Sequence, residues 1–216
     1  MKKFNLLLLS LLFYTLTGLG ISLTIVAQVG VSSFNALNLS LAHLFSLKIG
    51  SMTAIVNGLF LLLYIILTKG KLISSYLIQI MTVLALGYVI NFFTYQVFTG
   101  LTINSYANRL GLFLLGSLIA GFGTGMVLNL KVLSFPIESV CQHLSAKWHV
   151  SFATLRYSVD IISVSLSLMV SFANHSPVFV REGTLISLLV LTMTISLTKK
   201  AFNKLITTEH PNRLLF

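Results

Sequence analysis

The chain has 216 residues, of which 56% are hydrophobic and only 8% are charged, whereas soluble domains contain roughly a quarter charged residues. The apolar residues form long blocks instead of a stripe with a period of about 3.6 residues, which excludes a soluble domain and indicates a polytopic helical membrane protein. The formal net charge is +10. The lysines, however, stand at the ends of apolar segments without a basic and aromatic surface, which argues against nucleic-acid binding.

Apolar segments long enough to cross a hydrocarbon core of ~30 Å as helices occur throughout the chain. In chain order they are 4–27, 51–68, 73–98, 109–130, 151–173 and 183–199. Two further stretches, 33–46 and 135–147, are shorter and more polar, which is typical of re-entrant or interfacial helices. The first segment imitates a secretory signal peptide, but its apolar run has the length of a full span, so we expect it to remain part of the fold.

The positive charges favour six crossings over eight. With six crossings and the N-terminus inside, most basic residues collect on the cytoplasmic side: Lys2, Lys3, Lys69, Lys71, Lys131, Lys147, Lys199, Lys200, Lys204 and Arg213. Lys48, Arg109 and Arg181 then lie outside. Eight crossings would weaken this asymmetry, and both arrangements place the two termini in the cytoplasm.

The order of features in the first half of the chain recurs in the second half. A shift of 103 residues lays Gly18 on Gly121, Gly20 on Gly123, Ser33 on Pro136, Asn35 on Glu138 and Asn57 on Asp160. An odd number of crossings per half would insert the halves in opposite senses, as in the inverted repeats of many transporters; if the short helices also crossed, the repeats would be parallel. We therefore predict an all-α protein with two three-crossing repeats, 1–103 and 104–203, in one membrane domain, with inversion favoured and a polar cytoplasmic tail at 204–216.

Two of the four acidic residues lie where a charge is costly. Asp160 is near the middle of an apolar segment, where a charge costs about 2.5–3.5 kcal/mol on insertion scales, and Arg156 lies four residues earlier on the same helix face. Glu138 follows Pro136 at the start of the second short helix, where a carboxylate complements the exposed N–H groups. These residues could simply order the bundle as an ion pair and a cap, or they could line a polar cavity.

The second interpretation predicts a solute site near the membrane midplane. We expect it to be lined by Glu138, Arg156, Asp160, Asn35, Asn57 and Ser33. An arginine beside two helix N-termini favours an anionic or zwitterionic solute, or a lipid phosphate. The function predicted is a small secondary transporter or permease. Two alternatives stay open: a non-transporting scaffold or regulatory subunit, and a solute-binding subunit of a larger transporter.

The remaining sequence features predict structure and not chemistry. Small-residue stripes predict close helix packing, and they consist of Gly18, Gly20, Gly121, Gly123 and Gly125. No HExxH or CxxC spacing or phosphate-binding glycine loop occurs, so we expect no enzyme activity, no catalytic residue, no metal and no cofactor. Cys141 is expected to pack as a small hydrophobe. Membrane lipids are the expected partners, and homo-oligomerisation is left open.

The two halves resemble the YitT/YczE-type (YczE/YyaS/YitT) family of bacterial integral membrane proteins. The residues that carry the resemblance are 29–35, Ile49-Gly50 and 70–72 in the first half, and 134–138, Ser151, Arg156, Asp160 and 183–185 in the second. The chain departs from the family pattern at Ser33, Asn35 and Leu133, which replace a proline, an acid and a glycine. The resemblance covers about 12–200 and implies a two-half, transporter-like plan in a bacterial plasma membrane.

Overall fold

A computed structural model describes residues 3–130 and 132–209, and every regular element in these ranges is helical. The helices are α1 (Lys3–Ala27), α2 (Ser33–Leu44), α3 (Ile49–Leu67), α4 (Ile73–Phe92), α5 (Tyr106–Leu130), α6 (Pro136–Trp148), α7 (Phe152–Ala173) and α8 (Glu182–Glu209). A π-helical turn, Phe93–Val97, extends α4. The predictions that involve Lys2, Lys131, Arg213 and the end of the tail lie outside the described residues.

The all-helical membrane fold predicted from the sequence is confirmed. Six of the helices, namely α1, α3, α4, α5, α7 and α8, are long and apolar enough to cross a membrane. The other two, α2 and α6, contain 12 and 13 residues. At about 1.5 Å per residue they measure about 18–20 Å, which is less than the ~30 Å thickness of the hydrocarbon core. Helix α8 continues to Glu209, well beyond the predicted end of its apolar segment at residue 199.

Helices α1 and α5 pack closely along each other, and glycines bring their backbones together. A Cβ atom added to Gly20 would lie 2.6 Å from the carbonyl oxygen of Gly116, and one added to Gly123 would lie 2.8 Å from the carbonyl oxygen of Phe13. On the opposite side of α5, Gly121 contacts Thr194 of α8. The predicted packing role of the glycine stripes is therefore confirmed, and Gly116 belongs to the same set.

Helices α3 and α4 are sealed against each other by a second close contact. A Cβ atom added to Gly87 would lie 3.0 Å from the Ala54 side chain and closer still to the carbonyl oxygen of Gly50. Asn91 Oδ1 accepts a hydrogen bond from the Gly50 N–H at 2.8 Å, and Asn91 Nδ2 donates to Ser51 Oγ at 3.1 Å. Among the described residues, α7 and α8, which the predicted repeat would make equivalent to α3 and α4, have no comparable packing along their length.

Each short helix packs against a long helix of the other half as well as its own. Helix α2 contacts α3 and α7, and α6 contacts α7 and α3. Ser40 Oγ of α2 is hydrogen-bonded to Ser167 Oγ of α7 at 2.7 Å, while Asn38 Nδ2 donates to Thr53 Oγ1 of α3 at 3.3 Å. Just before α6, the Phe135 ring stacks on Tyr14 of α1 with 4.7 Å between centroids. The short helices therefore lie inside the bundle and link its two halves.

Two arginines hold the C-terminal end of α1, where backbone carbonyls lack helical partners. Arg109 Nε donates to the Ala27 carbonyl at 2.8 Å and Arg109 Nη2 to the Gln28 carbonyl at 2.6 Å. Arg181 Nη1 also donates to the Gln28 carbonyl, at 2.8 Å. Cations at a helix C-terminus also interact favourably with the helix dipole. These contacts fasten α1 to the starts of α5 and α8.

We expect Arg109→Met to reduce the free energy of unfolding by about 2 kcal/mol, because it removes two charge-assisted hydrogen bonds and leaves the buried Ala27 carbonyl without its donor. The measurement is the thermal unfolding midpoint of the purified protein in detergent. Lys71→Met, which removes an exposed charge at the other end of the bundle, is the matched control. Equal midpoints for the two variants would contradict the capping role.

Candidate functional site

A cavity of about 370 Å³ lies between the helices, and all eight helices contribute to its wall. The six residues predicted from the sequence for a shared site all line it: Ser33, Asn35, Asn57, Glu138, Arg156 and Asp160. They come from α2 and α3 in the first half and from α6 and α7 in the second. The structure therefore brings the whole predicted set together around one space.

The charged side chains form a cluster on one wall of this cavity. Arg156 Nη1 donates a hydrogen bond to Asp160 Oδ1 at 2.8 Å, and Arg156 Nε lies 3.7 Å from Glu138 Oε1. The guanidinium thus pairs with a carboxylate of its own helix and with one from α6. Lys199 of α8 lines the same cavity. Two carboxylates and two basic groups therefore balance one another around the space.

The ionic contacts do not use every polar atom of the cavity. Glu138 Oε2 is buried without a hydrogen-bond partner among the described residues, although the other carboxylate oxygen faces Arg156. Ser33 is 1% exposed, and its Oγ also has no partner in the described part of the chain. A buried polar group without a partner costs about 1–3 kcal/mol. Two residues that line the cavity therefore each keep one buried polar atom without a partner in the described part of the chain.

The neutral wall of the cavity comes from the first half. Asn57 Nδ2 donates to the Thr53 carbonyl of its own helix at 2.9 Å, and Thr53 Oγ1 donates to the Ile49 carbonyl at 2.9 Å. Asn35 is 7% exposed and lies in the first turn of α2. This wall therefore offers amide and hydroxyl groups but no formal charge.

Both short helices begin at the cavity. Its wall includes the N-cap of α2, Ser32, and the N-cap of α6, Phe135. Neither N-cap side chain caps its helix. First-turn N–H groups have no intrahelical acceptor, so a helix N-terminus carries a partial positive charge that favours anions. The cavity thus combines positive potential at two helix ends with the carboxylates of Glu138 and Asp160.

A second cavity, of about 740 Å³, adjoins the first. The two share Leu128 and Lys199, and the second is lined by polar groups that include Ser75, Asn129 and Gln142. Lys199 therefore lines both cavities. The sequence predicts Lys199 only as a basic residue on the cytoplasmic side at the end of an apolar segment, because it does not show which helix α8 faces.

A second residue missed from the sequence is Thr53. It lies one helical turn before Asn57, lines the cavity, and is the partner of Asn38 from α2. The four-residue spacing of Thr53 and Asn57 in an otherwise apolar helix places both on one face. The spacing could therefore have identified Thr53 as a candidate cavity residue from the sequence alone.

The chain matches, over residues 1–200, the sequence model of a family described as "Family of unknown function (DUF6198)". It is also 31% identical over 147 residues to the "Uncharacterized protein YyaS" of Bacillus subtilis (strain 168), an alignment that covers 67% of this chain and 72% of that protein. The family resemblance seen in the sequence is thereby confirmed. No solved structure matches the chain significantly. The chain is a multi-pass membrane protein and belongs to the DUF6198 family.

Proposed function

We propose that this protein is a small secondary transporter or permease of the bacterial plasma membrane, with its solute site in the cavity between the two halves. The observation that carries the proposal is the convergence of Glu138, Arg156 and Asp160 from the second half with Ser33, Asn35 and Asn57 from the first around one cavity. Charged side chains inside a membrane are costly and usually mark a solute or ion path.

The arrangement of the short helices supports a two-repeat transporter plan. Under the predicted repeat, α2 corresponds to α6 and α3 to α7, and each short helix packs against both α3 and α7. Short helices that do not cross and that meet near the midplane are typical of inverted-repeat transporters, in which one repeat rocks against the other. We propose that α2 and α6 are such re-entrant helices and that both termini are cytoplasmic.

The charges favour a zwitterionic solute over a purely anionic one. An anion alone would have to compete with Glu138 and Asp160 for the guanidinium of Arg156, which already lies 2.8 Å from one and 3.7 Å from the other. A zwitterion offers its negative group to Arg156, Lys199 and the helix N-termini, and its positive group to the carboxylates. Such an exchange leaves no group unpaired, and an unpaired buried charge is expensive.

Direct binding to the purified protein tests the proposal. We expect phosphocholine, a zwitterion, to bind more tightly than inorganic phosphate, and the double variant Arg156→Met/Asp160→Leu to lose at least about tenfold in affinity, equivalent to about 1.4 kcal/mol. Lys71→Met, outside the cavity, is the control and should bind as the unmodified protein does. Uptake of labelled phosphocholine into proteoliposomes should follow the same order.

Two results would redirect the interpretation. Tighter binding of inorganic phosphate than of phosphocholine would assign the cavity to an anion. Unchanged affinity in the double variant would instead show that the charged cluster takes no part in binding. That result would favour a scaffold or regulatory subunit, in which the charged side chains only order the helices.

A further inference from the structure

The cavity reaches the lipid-facing surface of the bundle between α7 and α8. Four residues both line the cavity and are exposed on the outside of the bundle: Ala153 and Tyr157 of α7, and Thr192 and Ser196 of α8. Because both helices are long and apolar enough to cross a membrane, a side chain exposed at this position faces acyl chains. These four residues form the rim of a lateral opening.

The opening exists because the second half lacks the seal found in the first. Helices α3 and α4 are held together by the Gly50–Gly87 contact and by Asn91. The described parts of α7 and α8 have no such contact, and α8 packs instead against α5. The gap lies level with the charged cluster, since Arg156 is between Ala153 and Tyr157 in the chain and Lys199 follows Ser196 by less than one turn.

The wall of the cavity is amphipathic along α8. Leu188, Leu191 and Ile195 line it toward one end, and Lys199 lines it at the other. From Leu188 to Lys199 the helix rises about 16 Å at about 1.5 Å per residue. A ligand that fits this wall has a charged group at one end and an apolar portion beside it. A small, fully polar solute would leave the leucine side of the wall without complementary contacts.

Two buried polar atoms that have no hydrogen-bond partner among the described residues indicate where the polar end of a ligand belongs. Glu138 Oε2 and Ser33 Oγ both belong to residues that line the cavity, one at the start of each short helix. Glu138 also belongs to the charged cluster, so the polar end of a ligand belongs at that part of the cavity.

We propose that the cavity takes an amphiphile with a zwitterionic head group, which reaches the Glu138–Arg156–Asp160 cluster sideways from the bilayer through the gap between α7 and α8. The inference rests on the proposed function, and it adds the substrate class and the route. The apolar chain lies against Leu188, Leu191 and Ile195 and extends through the gap into the membrane. The head group needs no aqueous path to the cluster.

The test compares two probes that share one head group. Glycerophosphocholine carries the phosphodiester head group alone, and dihexanoylphosphatidylcholine adds short chains while staying monomeric at low concentration. With the protein held in amphipol, we expect the chain-bearing probe to bind at least about tenfold more tightly, because each buried CH₂ contributes about 0.8 kcal/mol, a factor of about four. Equal affinities would overturn the lateral route and leave the proposed function intact, whereas no binding of either probe would overturn both.

A matched pair of variants tests where the acyl chains of the probe lie. Ser196→Trp places a large ring at the rim, and we expect it to reduce the ratio of the two affinities, chain-bearing probe to head-group probe, to about one. Leu197→Trp changes the next residue, which is 62% exposed and does not line the cavity, and should keep the advantage. Thr192→Trp with Met193→Trp as its control repeats the comparison one turn away, in case one variant fails to fold.

The remaining alternative occupant of the gap is a second copy of the chain. Light scattering of the purified protein measures its oligomeric state and so distinguishes a second copy of the chain from a lipid in the gap. A monomer, or a dimer that survives Ser196→Trp, supports the proposal. A dimer that Ser196→Trp splits and Leu197→Trp preserves would assign the gap to protein contacts and overturn it.

Discussion

Gly116→Ala is expected to lower the free energy of unfolding by about 3 kcal/mol, whereas Gly111→Ala, five residues earlier in α5, is expected to raise it by about 0.5–1 kcal/mol. A Cβ atom on Gly116 would lie 2.8 Å from the carbonyl oxygen of Gly20 and 2.8 Å from the Cβ of Leu23. Neither atom can retreat without separating α1 from α5. A Cβ atom on Gly111 meets nothing within 4 Å among the described residues, so only the higher helix propensity of alanine remains.

The measurement is the thermal midpoint of each variant in the same detergent. Gly58→Ala provides a second control in α3, since a Cβ atom there also meets nothing within 4 Å. Opposite signs for Gly116→Ala and the two control substitutions are the expected result. A uniform loss across all three would show that glycine serves helix flexibility here, and it would contradict the packing interpretation.

Arg156→Met is expected to cost roughly 3–5 kcal/mol, because it leaves the carboxylates of Asp160 and Glu138 without their shared partner inside the bundle. Removing all three charges together, as Arg156→Met/Asp160→Leu/Glu138→Gln, should restore most of the stability, since well-packed apolar groups often replace buried ions at no loss. The thermal midpoint reports both effects.

The same variants separate a structural role from a functional one. The triple variant should be stable yet unable to bind phosphocholine. Stability and binding that recover together would show that the cluster only orders α6 against α7, and the scaffold interpretation would then stand. An Arg156→Met variant as stable as the unmodified protein would contradict the claim that the arginine neutralises both carboxylates inside the bundle.

Sequence was a good guide wherever a property follows from the residues of one segment. The length of the apolar segments predicted the spans. The free-energy cost of an unpaired charge inside a membrane predicted that Asp160 and Glu138 share a site, because each needs a partner and few residues could supply one. The glycine stripes predicted close contacts for the same reason, because the absence of a side chain at a glycine lets a neighbouring helix backbone approach at that position.

Sequence failed where the property depends on which helices become neighbours. Lys199 joins the cavity only because α8 packs on α5 through Gly121 and Thr194, leaving another face of α8 toward α7. The serines of α7 at positions 163, 167 and 171 recur every fourth residue and are buried, but the helix they face, α2, is far away in the chain. The gap between α7 and α8 exists because these two helices do not pack against each other. The absence of a contact between two helices cannot be predicted from the residues of either helix alone.

The glycine seal between α3 and α4 has a consequence for any cycle in which the two halves exchange roles. Helix α7 contains no glycine, so it cannot approach α8 as closely as α3 approaches α4 at Gly50 and Gly87. The two halves therefore cannot adopt equivalent packings, and the two end states of such a cycle would differ in shape and in free energy. The state of lower free energy would be the resting state in the absence of a gradient.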